Sequence, residues 1–250
     1  MQNRRVPGND SDDRPARSFT GEDLAGSVFR NVNLRGAKMV DVVLVGADLS
    51  GLIDGLRING VEVAPLVEAE LRRAHPDRIA LLARNPAGLQ HAWQNVEAFW
   101  ADTIAGARGL PAASLRTRVD DEWSLIETLR HLLFVTDAWI SRAVLGAPHP
   151  FHPWGLPPSF VLDAAGYGID PHADPTFDEV LDARLERMAS VRRLLADITP
   201  DDLDRRFTPP AGAGYPPGGE HRARDCIWTV LEEEWWHHRF AARDLATLMG

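Results

Sequence analysis

Large apolar residues recur every five positions near the start of the chain, at Phe19, Leu24, Phe29, Leu34, Met39, Leu44 and Leu49. Small or β-branched residues stand two places earlier at Ser27, Val32, Ala37, Val42 and Ala47. Glycine stands two places after a centre at Gly21, Gly26, Gly36, Gly46 and Gly51. A period of five matches neither the 3.6 of a helix nor the 2 of a strand. It marks a solenoid, whose units stack to share a core. Ile58-Asn59-Gly60-Val61 then carries the Asn-Gly pair of a tight hairpin, and PLVEAELRRA (65–74) predicts a short helix with proline at its start.

From about residue 86 the apolar spacing becomes helical. Leu89, Trp93, Val96, Trp100 and Ile104 step by three and four along a first helix over 86–107. A second is predicted over 124–145, opened by Ser124 and Glu127 at capping-box spacing. A third is predicted over 177–198 and a fourth over 225–249. Four helices of about twenty residues suit a four-helix bundle. The organisation expected is a disordered tail (1–17), a repeat segment with its hairpin (18–63), a connecting helix and linker (64–85), and the bundle (86–250). The connection from Gly146 to Pro175 is long and rich in Pro, His and aromatic residues, the kind of loop that often carries function.

Composition narrows the classes of function. With 44% hydrophobic and 25% charged residues the chain can bury a core. Lys plus Arg total 27 against 36 acids, a formal charge of −9. That balance argues against nucleic acid and anionic membranes as partners and leaves a small-molecule substrate. No apolar run is long enough to predict a transmembrane helix. Cys226 is the single cysteine, so neither an internal disulfide nor a thiolate-rich metal site can form, and a cytoplasmic setting is expected.

The candidate chemistry lies on the fourth helix, CIWTVLEEEWWHHRFAARDLATLM. With Glu234 at zero and about 100° per residue, Ile227, Val230, Leu231, Ala241 and Leu245 fall within about 60° of it, and His238 at about 40°. Glu234 and His238 therefore occupy the middle of the apolar face, where a carboxylate must be paired, protonated or bound to a cation. Glu233 and His237 repeat the spacing at about −100° and −60°, on the flank, and read as boundary residues or as supports for the ligands. His131, in an apolar stretch of the second helix, can meet Glu234 and His238 if the two helices are neighbours. That gives two imidazoles and one carboxylate, leaving a fourth position for water or substrate as in catalytic zinc sites; nickel accepts the same set. A buried ion pair and a hydrogen-bonded core histidine are the alternatives. Arg142 shares the His131 face and could hold a carboxylate or a thiol cofactor, or neutralise a buried acid. Cys226 has no base beside it and is read as packing.

Two resemblances extend this reading. DLAGSVFRNVNLRGAKMVDVVLVGADLSG resembles the pentapeptide-repeat family, which implies a short right-handed β-helix with the central Leu or Phe pointing inward and a docking or homodimerisation surface. DEWSLIETLRHLLFVTDAWISR followed by WTVLEEEWWHHRFAARDL resembles the DinB superfamily. The fold class implied is mainly α, a DinB-like four-helix bundle behind the repeat segment. The family's usual metal set is one His on the second helix and a His-x-x-x-His pair on the fourth. His131 and His238 match the outer members, and Glu234 stands for the first His of the pair, as in the His/Glu/His set of mycothiol-dependent maleylpyruvate isomerases. The resemblance implies a divalent-metal-dependent thiol transferase or thiol-dependent isomerase. Lys38 is the sole lysine, an arginine-heavy usage that points to a GC-rich bacterial source and favours mycothiol as the thiol. The alternative is a non-catalytic interaction or scaffold protein with a structural or vestigial metal site.

Overall fold

The computed structural model describes residues 17–30, 32–159, 161, 164–211, 214–216 and 218–249. Apart from Arg17, the expected tail lies outside the described residues. The chain falls into two compact units that divide between Glu70 and Leu71.

In the first unit the five-residue period is written into the backbone. Gly21, Gly26, Gly36, Gly46 and Gly51 all have positive φ, and Asp41 fills the equivalent place at φ 55°. Asp is among the few side chains that tolerate this region. Turn hydrogen bonds repeat every ten residues, from Ser27 N to Leu24 O, Ala37 N to Leu34 O and Ala47 N to Leu44 O. Asp23 and Asn33 each accept from the backbone N–H two residues on, at 3.0 Å, which sets two of these turns. The large apolar centres remain 43–60% exposed. So short a solenoid does not close a core around them. Strands β1 (Arg57–Ile58) and β2 (Val61–Glu62) pair antiparallel across Asn59-Gly60. Both turn residues have positive φ, as a type I′ turn requires. Helix α1 (Ala64–Ala74) spans the division between the units.

The second unit is the bundle. The short helix α2 (Arg78–Leu81) precedes α3 (Pro86–Ala107), which opens on an Asn85 cap with proline at its first position. Helix α4 (Leu125–Thr136) begins at a Ser124–Glu127 capping box, as the spacing predicts. It continues as a π-helix over Asp137–Val144, a wider turn where the sequence predicts plain α-helix. Helix α5 (Phe177–Asp197) follows, then α6 (Pro200–Asp204). Strands β3 (Arg206–Phe207) and β4 (His221–Arg222) pair antiparallel and lead into α7 (Ala223–Met249). Both α3 and α4 pack on α5 and on α7, so α7 sits between α3 and α4, with α5 across the diagonal. Of the predicted apolar stripe of α3, Leu89, Trp93, Val96 and Trp100 are buried in this core, and Ile104 packs half-buried against it. The same core holds Leu129 and Leu132 of α4, Val191 and Leu195 of α5, and Ile227 and Leu231 of α7.

A second set of contacts fastens α2 to α7. Arg78 is buried, pairs with Glu232 at 3.1 Å and lies 4.9 Å over the Trp235 ring. Trp235 donates to Asp77 at 2.9 Å, and Trp228 donates to the Ala83 carbonyl at 2.9 Å. No described helix is long and apolar enough to cross a membrane.

Asp137, at the start of the π-helix, has a fully buried side chain paired with Arg187 of α5. Burial pushes its carboxyl up to about 6 despite the guanidinium. A carboxyl raised on folding binds its proton more tightly in the native state than in the unfolded state. Its stabilisation is therefore full below the ordinary carboxylate range and is lost as pH rises through about 6. In denaturant titrations, the stability of the wild type relative to Asp137→Asn should fall by about 2 kcal/mol between pH 4 and pH 7. A pH-independent difference between the two proteins would contradict this.

Candidate metal centre

Two helices bring the donors together. The capping box starts α4 so that His131 arrives two turns in, on a buried face with 5% exposure. Its Nδ1 donates to the Leu156 carbonyl at 2.9 Å, because a carbonyl oxygen can only accept. That leaves Nε2 as the nitrogen available to ligate, and it lies 3.6 Å from Glu233 Oε2. From α7, Glu233 and His237 project one turn apart, with His237 Nε2 3.2 Å from the same Oε2. The two imidazole centroids are 4.7 Å apart. One ligand atom from each of His131, Glu233 and His237 lies within 4.8 Å of the others. Trp123 covers both rings, tilted at 4.5 Å from His131 and stacked at 5.7 Å on His237.

The electrostatics fit a cation. Burial works against the Glu233 carboxylate, yet the two imidazoles hold its pKa well below the usual range. Burial pushes the His237 imidazole down, toward the neutral form that ligates metals. Burial and the Glu233 charge together raise the Tyr215 phenol. A carboxylate that stays ionised and imidazole nitrogens facing it across 3.2–3.6 Å suit a divalent ion of zinc or nickel type.

This set differs from the one expected on α7, and the reason is geometric. Glu234 lies in the middle of the apolar face as predicted and is fully buried, but the diagonal helix α5 faces that position. Glu234 pairs there with Arg184 of α5 and accepts from Trp100 Nε1 of α3 at 2.8 Å. Burial raises its pKa against both partners. His238 turns the other way, toward α3. Its Nε2 is 2.8 Å from Thr103 Oγ1, its ring is 4.2 Å from Phe99, and burial lowers its pKa to about 4. The structure thus brings His131 together with the flank residues Glu233 and His237, and it leaves Glu234 and His238 outside the cluster. Helix α4 faces the flank of α7, about 60–100° from the centre of the apolar face.

A signal for this lay in α5. Val180, Arg184 and Met188 step by four, so Arg184 falls on a buried stripe and needs an inward acid. Arg142 is buried and donates to the Pro210 carbonyl at 3.0 Å. Gly214 passes so close to it that a Cβ there would collide with the Arg142 guanidinium. Cys226 is buried and its thiol is pushed up to about 12, which leaves it inert. His149 and His172 are exposed, and His152 is partly buried. A cleft of about 370 Å³ lies elsewhere, lined by Leu194, Ile198, Phe207, Arg193, Arg205 and Asp202 among others, and contains none of the three donors.

A family model described as the DinB superfamily matches residues 95–241, more than half of the chain. A second, described as pentapeptide repeats, matches residues 18–51 in eight copies. No curated protein and no solved structure matches the chain.

The two neighbouring glutamates should separate by experiment. Removing one partner of a buried ion pair costs about 3–5 kcal/mol, so Glu234→Gln should lower unfolding free energy in urea by that order. Glu233 is 37% exposed, and Glu233→Gln should cost the metal-free protein about 1 kcal/mol or less, the range of exposed pairs. Equal losses would contradict the assignment.

Proposed function

The chain belongs to the DinB superfamily, and from that premise we propose that it is a divalent-metal-dependent enzyme acting as a thiol S-transferase or a thiol-dependent isomerase. The observation that carries the reading is the convergence of His131, Glu233 and His237 ligand atoms within 4.8 Å. Zinc or nickel is the ion such an N₂O set favours. His131, Glu233 and His237 would hold the ion and leave a further position open, where it would supply Lewis acidity to a water or a thiol.

The chain's own residues supply the remaining needs of this chemistry. Leu156 fixes the His131 tautomer through its carbonyl. Glu233 contributes the negative charge that keeps a cation in a half-buried place. Trp123 shields one side of the imidazoles, and Phe134, 6.3 Å from His131 and 6.0 Å from Tyr215, extends an apolar wall on another. Such a wall excludes water and suits the apolar body of an electrophile. The co-substrate proposed is a low-molecular-weight thiol of the mycothiol kind.

Metal uptake is the first test. The full chain, dialysed against zinc or nickel and analysed by mass spectrometry, should retain about one ion per chain, the loading expected of a three-ligand site. His131→Ala, Glu233→Gln and His237→Ala should each weaken binding by more than about 100-fold, since even changes behind the ligands cost 10–100-fold. His238→Gln should bind like the wild type. A wild type that takes up no zinc, nickel or cobalt ends this reading. With metal bound, consumption of mycothiol in the presence of electrophiles such as maleylpyruvate or alkyl halides tests the reaction class.

A further inference from the structure

The loop after α4 runs back along that helix, and its polar backbone groups are tied to it one after another. Asp137 Oδ2 accepts from His152 N–H at 2.8 Å. Trp154 N–H donates to His152 Nδ1 at 3.2 Å, and Arg130 Nε donates to the Trp154 carbonyl at 2.9 Å. Leu156 N–H donates to the Arg130 carbonyl at 3.0 Å, and the Leu156 carbonyl receives the His131 Nδ1 hydrogen. The series begins at a buried carboxylate and ends on a donor of the metal centre. Its origin is held from the neighbouring helix, because Arg187 of α5 pairs with Asp137 through Oδ1 and leaves Oδ2 for the loop.

We infer that residues 152–156 form a strap that positions His131 for the metal, with Asp137 and Arg130 as its positioning residues. This rests on the proposed metal centre. An imidazole that ligates through Nε2 must hold its hydrogen on Nδ1 and its plane toward the ion, and a fixed acceptor behind the ring sets both. The acceptor here is a loop carbonyl. A loop carbonyl is only as fixed as the bonds that hold its segment, and in this loop Asp137 and Arg130 hold it at either side of Trp154. Asp137 stands six residues beyond His131, and among the described hydrogen bonds its Oδ2 leads to the centre through the strap.

The test uses the full chain with cobalt(II) alone, whose visible spectrum reports ligand geometry. Affinity is read by competition with a chromophoric chelator, and far-UV circular dichroism checks the fold. Asp137→Ala should weaken cobalt binding about 10–100-fold and change the spectrum while helicity is kept. Asp137→Asn retains an oxygen for the His152 N–H and should recover most of the affinity. Arg130→Met leaves the Asp137–Arg187 pair intact and should weaken binding in the same direction, which covers the case in which Asp137→Ala does not fold. Nitrogen-15 NMR of the zinc-loaded wild type should find the His131 hydrogen on Nδ1. Wild-type affinity and spectrum in both Asp137→Ala and Arg130→Met, or the hydrogen on Nε2, would overturn the strap alone. A wild type that binds no cobalt would overturn the metal centre and the strap with it.

Discussion

The buried pair between Arg184 and Glu234 governs the rest of the bundle. Both side chains are withdrawn from solvent, and charges so placed are tolerated only in close mutual geometry. Glu234 must therefore face the diagonal helix, with Trp100 closing on its other oxygen. That requirement fixes the rotation of α7 about its own axis. Once the rotation is set, the residue before Glu234 is turned about 100° away, toward α4, and His238 is turned about 40° in the opposite sense, toward α3. The candidate ligands are thus placed by a contact in which none of them takes part.

Two adjacent Glu-x-x-x-His pairs on one helix consequently have separate tasks. The inner pair, Glu234 and His238, sits among Arg184, Trp100, Phe99 and Thr103 and joins α7 to α5 and α3. The outer pair, Glu233 and His237, opens toward His131 and Trp123. Their carboxyls divide in the same way: burial raises the pKa of Glu234, whereas the two imidazoles lower that of Glu233 against its burial. The indole of Trp235, between Arg78 and Arg239 at 4.9 Å from each, holds the outside of the helix and completes its restraint.

Much of this architecture was legible in the sequence, because its signals are local. The five-residue period, the Asn59-Gly60 turn, the Ser124–Glu127 box and the α3 stripe each act within a few residues. The apolar face of α7 was also legible, including Glu234 at its centre. What the sequence did not carry was which helix stands opposite which part of that face. His131 meets the flank of that face, because α5 and not α4 stands opposite its centre. The motif itself gives no help, since both pairs have the same spacing. The π-helix after Thr136 was equally hidden, for no proline or glycine within Asp137–Val144 announces it. The Leu156 carbonyl behind His131 belongs to the backbone of a distant loop, and no residue type signals its position.

The π-helical turn has a consequence for how this scaffold can vary. A wide turn accommodates one residue more than regular winding would, and removing that residue leaves a continuous helix. A shortened chain could therefore still fold as a bundle, with His131 untouched upstream. Side chains beyond the wide turn would keep their faces, and those within it would be re-aimed. The buried guanidinium of Arg142, which now meets Pro210, would be aimed at another wall of the interior. A single-codon deletion in this stretch thus offers a route to redecorating the surroundings of an intact imidazole without rebuilding the fold.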